Sequence, residues 1–361
     1  MGPRHCCVEQ AHVSRKAAHL DEVTRLGDAE GLNERHSDPD PRAQLGRFIA
    51  MQLHRRHPQS GSRSENGVFV SIDGEDDQAS EAAALGAWSA DSHNPLRVIT
   101  GPREGINAAR NRALGEASGR WTLCINDDLY AQPDLLAQHI LGHLEALDRE
   151  GADARDGVIV GDAPWSVHPD DSLFDRLARE TSIIFFYHRM NEPAQSRDRW
   201  KDWGFRHYYT LNASAPTREL CEIGGFAIFP VVYGYDDLEA AWRLKERFGT
   251  PIYYRPGAKG THDHRYTPDE YLRREHTLGR AAWCLALASP GCAYDMFGRD
   301  ITTPGELDYS REFVERERTT AARLRESFLE MGRIPSSAIS GPASSKLIGL
   351  LYEQHLLLKR W

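Results

Sequence analysis

Residues 105–128 constrain the fold of this chain more than any other stretch. Gly105 opens a turn, residues 106–117 form an Ala-rich run with helical character, and Ser118-Gly119 make a second turn. Residues 121–125 then read as a short buried strand that runs directly into Asp127 and Asp128. In open α/β sheets ligands collect outside the carboxyl ends of the strands, and paired acids there can hold a divalent cation with the phosphates it neutralises. Taken locally, two acids after a strand are equally well turn formers or the cap of the next helix.

The wider pattern favours chemistry. The segment resembles the heart of the family 2 glycosyltransferases, where a Gly-x-x-x-Ala-Arg-Asn-x-Gly/Ala-Leu helix leads into an apolar strand and an Asp-x-Asp or x-Asp-Asp motif. Here that motif is Asn126-Asp127-Asp128. Residues 68–72, Val-Phe-Val-Ser-Ile, form a strand ending in Asp73-Gly74, similar to the second strand of the same family. A carboxylate at that position can accept hydrogen bonds from a base N–H or a ribose hydroxyl. An acid-rich turn is the plain alternative.

Two further blocks follow in the family's order. Leu211-Asn212-Ala213-Ser214 and Gly224-Gly225-Phe226 resemble the acceptor side of the cleft, and Gly234-Tyr235-Asp236-Asp237 resembles the Gly-Tyr-Glu-Asp motif at the start of a helix. Gly234 permits a tight turn, and acids are favoured in a first helical turn. Beyond them, His262 and His264 share one face if their segment is extended. Relatives often place one histidine here to complete a metal shell, and His264 is the preferred candidate, with His262 second.

Composition bounds the alternatives. With 361 residues, 40% hydrophobic and 27% charged, the chain can bury a large core, and a formal charge of -9 argues against general nucleic-acid binding. The six cysteines show no metal-ligand spacing and suggest a reduced, cytoplasmic setting. No leader-like or membrane-spanning run is evident, which leaves peripheral contact at the inner membrane face as the only membrane role expected.

The remaining chain is read by periodicity. Leu45, Phe48, Ile49 and Leu53 mark a helical stripe over residues 42–57, a helix is expected over 79–89, and residues 96–100 and 157–161 are strands. Alternating strands and helices point to a mostly parallel sheet covered on both faces. The family's usual opening strand has no counterpart in residues 1–41, so either a segment such as residues 6–13 replaces it or part of the nucleotide site is missing. His139 and His143 stand four apart on a helix after Pro133, but without a third ligand they are expected to be surface or capping groups. Rings at Trp200, Trp203, Phe205, His207, Tyr208 and Tyr209 suit either a sugar acceptor or core packing. Arg273, Arg274 and Arg280 lie on a helix over 269–287 and are expected mostly at the surface. Residues 290–303 read as loop, and helices over 306–331 and 347–361 close the chain, the last expected to dock on the domain.

The resemblance, over about residues 45–290, implies an α/β GT-A fold: a mostly parallel sheet flanked by helices, with a C-terminal helical extension. The expected division is a poorly defined segment 1–41, a transferase domain 42–290 and the extension 291–361. It also implies inverting, metal-dependent transfer from a nucleotide-diphosphate sugar, expected to be a UDP-sugar, to a saccharide or other hydroxyl acceptor. Mn²⁺ or Mg²⁺ would be held by Asp128 and His264, the donor by Asp73, Arg110 and Asp127, and Asp237 would be the general base, with Asp236 its alternate. A non-catalytic relative kept for binding, or a nucleotidyltransferase, are the rival readings.

Overall fold

The structure is a computed structural model that describes residues 47–53, 67–74, 96–149, 155–195, 197–229, 234–339 and 341–360. The helix expected over 79–89 and the segment 1–41 lie outside the described residues.

The described sheet has eight strands: β1 (Arg47–Leu53), β2 (Val68–Asp73), β3 (Leu96–Gly101), β4 (Trp121–Asn126), β5 (Leu129–Ala131), β6 (Val158–Asp162), β7 (Asn212–Pro216) and β8 (Ile252–His262). Their order across the sheet is β3-β2-β1-β4-β7-β6-β8-β5. The α/β class holds, but the sheet is mixed. Only β2/β3 and β6/β8 pair in parallel; β1 and β7 run against both of their neighbours, and β5 runs against β8. The strands β2, β3, β4, β6 and β8 nevertheless point the same way, so their carboxyl ends share one edge. That edge gathers Asp73, Asn126-Asp127-Asp128, Asp162 and His262.

Residues 47–53 are a strand, not part of the helix that their apolar spacing suggested. β1 sits between β2 and β4, with Arg47 opposite Ile72 and Phe48 opposite Asn126. Pairing on both sides satisfies its backbone groups, and that tertiary gain outweighs a short stretch of helical periodicity. A strand therefore does precede β2 in the sheet, antiparallel to both of its neighbours, while residues 6–13 lie outside the described residues.

The helices are α1 (Ile106–Glu116), α2 (Leu135–Leu147), α3 (Leu173–Glu180), α4 (Tyr187–Met190), α5 (Thr217–Glu222), α6 (Asp236–Phe248), α7 (Pro268–Ala288), α8 (Pro290–Phe297), α9 (Pro304–Gly332) and α10 (Pro342–Leu358). α8 replaces an expected loop: Pro290 fits its first turn, and Gly298 ends it in the left-handed conformation. α10 starts earlier than expected, inside the Ser/Gly/Pro-rich stretch.

One large core joins the sheet to α1, α5 and α6, with Trp121, Leu123, Ala213 and Tyr208 fully buried. A second cluster packs Phe174 of α3 and Tyr271 of α7 against Phe328 of α9 and Ile348 and Leu351 of α10. The closing helix thus docks on the protein, as expected. Phe205, Tyr208 and Tyr209 lie in the main core and Trp200 packs on Tyr253, so the ring-rich stretch is packing and not an acceptor surface. Arg273 faces Asp269 at the surface of α7 as expected, whereas Arg274 is largely buried, paired with Glu275. No helix among the described residues is long and apolar enough to cross a membrane. Cys124, Cys284 and Cys292 are buried free thiols.

Candidate active site

The cation cluster arises from strand register. β4 is buried on both faces until Asn126, the chain turns through Asp127 and Asp128, and β5 then pairs with β8 so that Leu129 lies opposite His262. The Asp263 amide donates to the Asp128 carbonyl at 2.8 Å, which draws the neighbouring histidines onto the Asp128 side chain. His262 Nε2 lies 3.4 Å and His264 Nδ1 3.2 Å from Asp128 Oδ2. Trp165 packs against His262 with the rings tilted by 41° and their centroids 4.5 Å apart, and holds that ring in place.

Among the described residues this trio is one group with three ligand atoms within 4.8 Å of one another. Asp128 Oδ1 and His262 Nδ1 are buried and have no hydrogen-bond partner. Burial works to raise the Asp128 carboxyl, but its contacts with His262 and His264 outweigh that and hold it well below the usual carboxylate range. An ionised carboxylate beside two imidazoles is a donor set that fits a divalent transition ion such as Mn²⁺ better than Mg²⁺, which prefers oxygen. Both histidines meet Asp128, so the order of preference between them has no geometric ground.

The acid pair at α6 divides its labour. Tyr235 adopts the left-handed conformation (φ 61°), the one described residue other than glycine with positive φ, and this strained turn presents two consecutive acids in different directions. Asp236 points inward to a buried ion pair with Arg110, whose guanidinium also donates to Thr210 Oγ1 at 2.7 Å and Asn107 Oδ1 at 2.9 Å. Asp237 is partly exposed and accepts from the Leu238 amide at 2.9 Å. Burial, then the Asp236 charge, push the Asp237 carboxyl up to about 7, against the pull of Arg110. A carboxyl that titrates near neutrality is matched to general-base work.

α1 is the clamp that assembles these parts. Asn107, Arg110 and Asn111 lie on one face of the helix, as spacings of three and four residues require. Asn111 accepts from the Phe226 amide and donates to the Phe226 carbonyl, both at 2.8 Å, and Asn107 donates to the Ala227 carbonyl at 2.7 Å. Gly225 (φ 72°) sits so close to Asn111 that a Cβ there would collide with it. At the helix start, Asp73 accepts from the Glu104 and Gly105 amides, each at 2.8 Å.

A buried polar chain supports the same edge from below. His139 and His143 of α2 are fully buried, which corrects their expected place at the surface. Asn212 donates to the Asp162 and Ala258 carbonyls at 3.0 and 2.9 Å, leaving its Oδ1 to accept from His139 Nε2 at 2.9 Å. Neutral His139 then accepts from the Ser214 hydroxyl at 2.8 Å, and Ser214 Oγ lies 2.8 Å from His143 Nε2. His143 Nδ1 ends the chain on Asp156 at 2.6 Å. Asn212 thereby ties β6 to β8 where their register shifts between Gly161 and Asp162.

Burial depresses His139 to about 3, whereas an unfolded histidine titrates near 6.5. Between these values the unfolded chain takes up the proton first, so this contribution is complete above pH 6.5 and is lost as pH falls towards 3. At pH 5 the loss from His139 should be about 2 kcal/mol relative to pH 7. Urea denaturation at the two pH values checks this: the pH 7 to 5 difference should shrink by that amount in His139→Gln, which does not titrate, and an unchanged difference would refute it.

Residues 65–233 match the family model described as Glycosyl transferase family 2. The matched segment is a family 2 glycosyltransferase domain. No curated protein matches the chain. The family implies the GT-A fold, in keeping with the helix-flanked mixed sheet, and makes the protein a glycosyltransferase. The match takes in Asp73, Arg110, Asp127 and Asp128 but stops short of Asp236, Asp237, His262 and His264.

In this glycosyltransferase the structure brings Asp128, His262 and His264 together, with Asp127 exposed beside them at the end of β4. Asp73 stands apart at the end of β2. Arg110, expected to touch the donor, is buried and pairs with Asp236. Asp162 and Trp165 went unassigned in the sequence, where their only signal is that they follow an apolar strand.

Proposed function

We propose that this glycosyltransferase moves a sugar from a nucleotide-diphosphate donor to a hydroxyl acceptor in one metal-dependent, inverting step. The observation that carries this reading is the Asp128-His262-His264 trio at the carboxyl edge of β4 and β8, with Asp237 bonded to the backbone of Thr210 just before β7, which starts from that edge. The trio would hold Mn²⁺ or Mg²⁺, which, when bound, neutralises the charge that grows on the departing diphosphate.

Asp237 takes the proton from the acceptor hydroxyl as its oxygen attacks the anomeric carbon from the side opposite the leaving group. One displacement inverts the configuration. Asp236 and Arg110 hold the first turn of α6 so that Asp237 faces the cleft. Asp127 would accept from the ribose. Asp73 accepts from two amides and, at 3.4 Å, from Arg112, and its remaining lone pairs would receive a base or ribose donor.

The rival reading, a non-catalytic binding protein, rested on an absent first strand; β1 lies between β2 and β4 but runs against both. Calorimetric titration of UDP and GDP with and without Mn²⁺ tests the proposal. Metal-dependent binding of one nucleotide should appear in the wild type and weaken at least tenfold, about 1.4 kcal/mol, in Asp128→Ala. No binding of either nucleotide under either condition would favour the non-catalytic reading.

A further inference from the structure

A cavity of about 370 Å³ opens beside the cation cluster, walled by Asp162 and Trp165 after β6, Arg179 of α3, and Phe185, Tyr187 and Asn191 around α4. It shares a wall with the cluster, since Trp165 and Phe185 lie 4.5 and 5.8 Å from the His262 ring. In the strand order it falls on the β6/β8 half, across β4 from Asp73. That is the half left over once a nucleotide is laid from Asp73 towards Asp128.

The lining alternates ring faces with fixed polar groups. Asp162 is almost fully buried and accepts from Asn191 Nδ2 at 3.3 Å, while Asn191 Oδ1 accepts from the Tyr254 hydroxyl at 2.9 Å. Arg179 is paired with Asp171 at 2.8 Å and also donates to the Ser166 carbonyl, so its charge is already committed within the protein. The Tyr187 hydroxyl is buried with no hydrogen-bond partner, an arrangement that carries a standing cost until a ligand or water meets it. The volume lies at the small end of the roughly 300–1,000 Å³ typical of small-molecule sites.

We infer that this cavity is the subsite for a neutral pyranose ring, whose C–H face lies on Trp165 and Phe185 while its hydroxyls bond Asp162 and Tyr187. The inference rests on the sugar-transfer reading and names the chemistry of one part of that site. Either the acceptor or the donor could supply the ring.

The probes are the methyl glycosides of glucose, galactose, mannose and N-acetylglucosamine, titrated into the full chain by tryptophan fluorescence and saturation-transfer NMR. At least one should bind, with EDTA making no difference, and Tyr187→Phe and Asp162→Asn should each weaken it fivefold or more. Tyr187→Phe removes only an unpaired hydroxyl, so its fold is secure as a control. A UDP-sugar carrying the same ring displaces the glycoside if the donor occupies the cavity, and leaves it bound if the acceptor does. Absence of binding by all four glycosides, or binding indifferent to both variants, would overturn the inference. Mn²⁺-dependent UDP binding, measured on the same sample, separates the two ideas. If UDP binds and glycosides do not, only this subsite falls; if glycosides bind and UDP does not, the transfer reading falls and the sugar site stands.

Discussion

Replacing Asp237 by asparagine should lower kcat by roughly 10²–10⁴ while leaving nucleotide affinity and the fold unchanged. The amide keeps the shape of the side chain and its place at the start of α6 but cannot accept the acceptor's proton. In the wild type, kcat/KM should fall about tenfold per pH unit below pH 7, because burial and the Asp236 charge place the Asp237 carboxyl at about 7 and only its ionised form is a base. Nucleotide release followed from pH 5 to 8 reads both effects. A variant within tenfold of wild-type kcat would remove Asp237 from the mechanism.

Arg110→Met should destabilise the protein by about 3–5 kcal/mol, since it leaves Asp236 buried without its cation. The double variant Arg110→Met/Asp236→Leu should recover part of that loss, because neither charge is then stranded. Urea denaturation of the two single variants and the double variant measures the coupling. A cost below 1 kcal/mol for Arg110→Met would show that the pair does not hold α6 in place. Arg110 also lowers the Asp237 carboxyl, so any activity left in the single variant should show its acid limb displaced to higher pH.

The local elements of the site were legible because their signals are local. The glycine turn, the α1 face, the apolar β4 and the acids that follow it are contiguous, and so are the turn and acids that open α6. Partners were not legible. Arg110 reads as a cation near a donor site, and nothing near it announces Asp236, 126 residues further on. His139 and His143 share a helix face as expected, yet their burial depends on Asn212 and Ser214 of β7, which sequence spacing does not place beneath them. β1 was misread for a similar reason: its apolar residues fit a helical stripe, and only the two flanking strands make extended backbone the better state. The sheet's mixed directions have the same origin, since strand neighbours here are far apart along the chain. α8 is the exception, for Pro290 and Gly298 were available as start and stop signals for a helix short enough to pass as a loop.

The long reach of these contacts has a kinetic consequence. Asp128 belongs to a strand turn in the first half of the chain, and its histidines arrive only with the end of β8. Contacts between distant segments slow folding, because the intervening loop must be closed before the contact contributes. A nascent chain that has not yet released His264 therefore has neither the Asp128-His262-His264 cluster nor a seated β5, and the candidate site comes late in synthesis, as a property of the finished sheet.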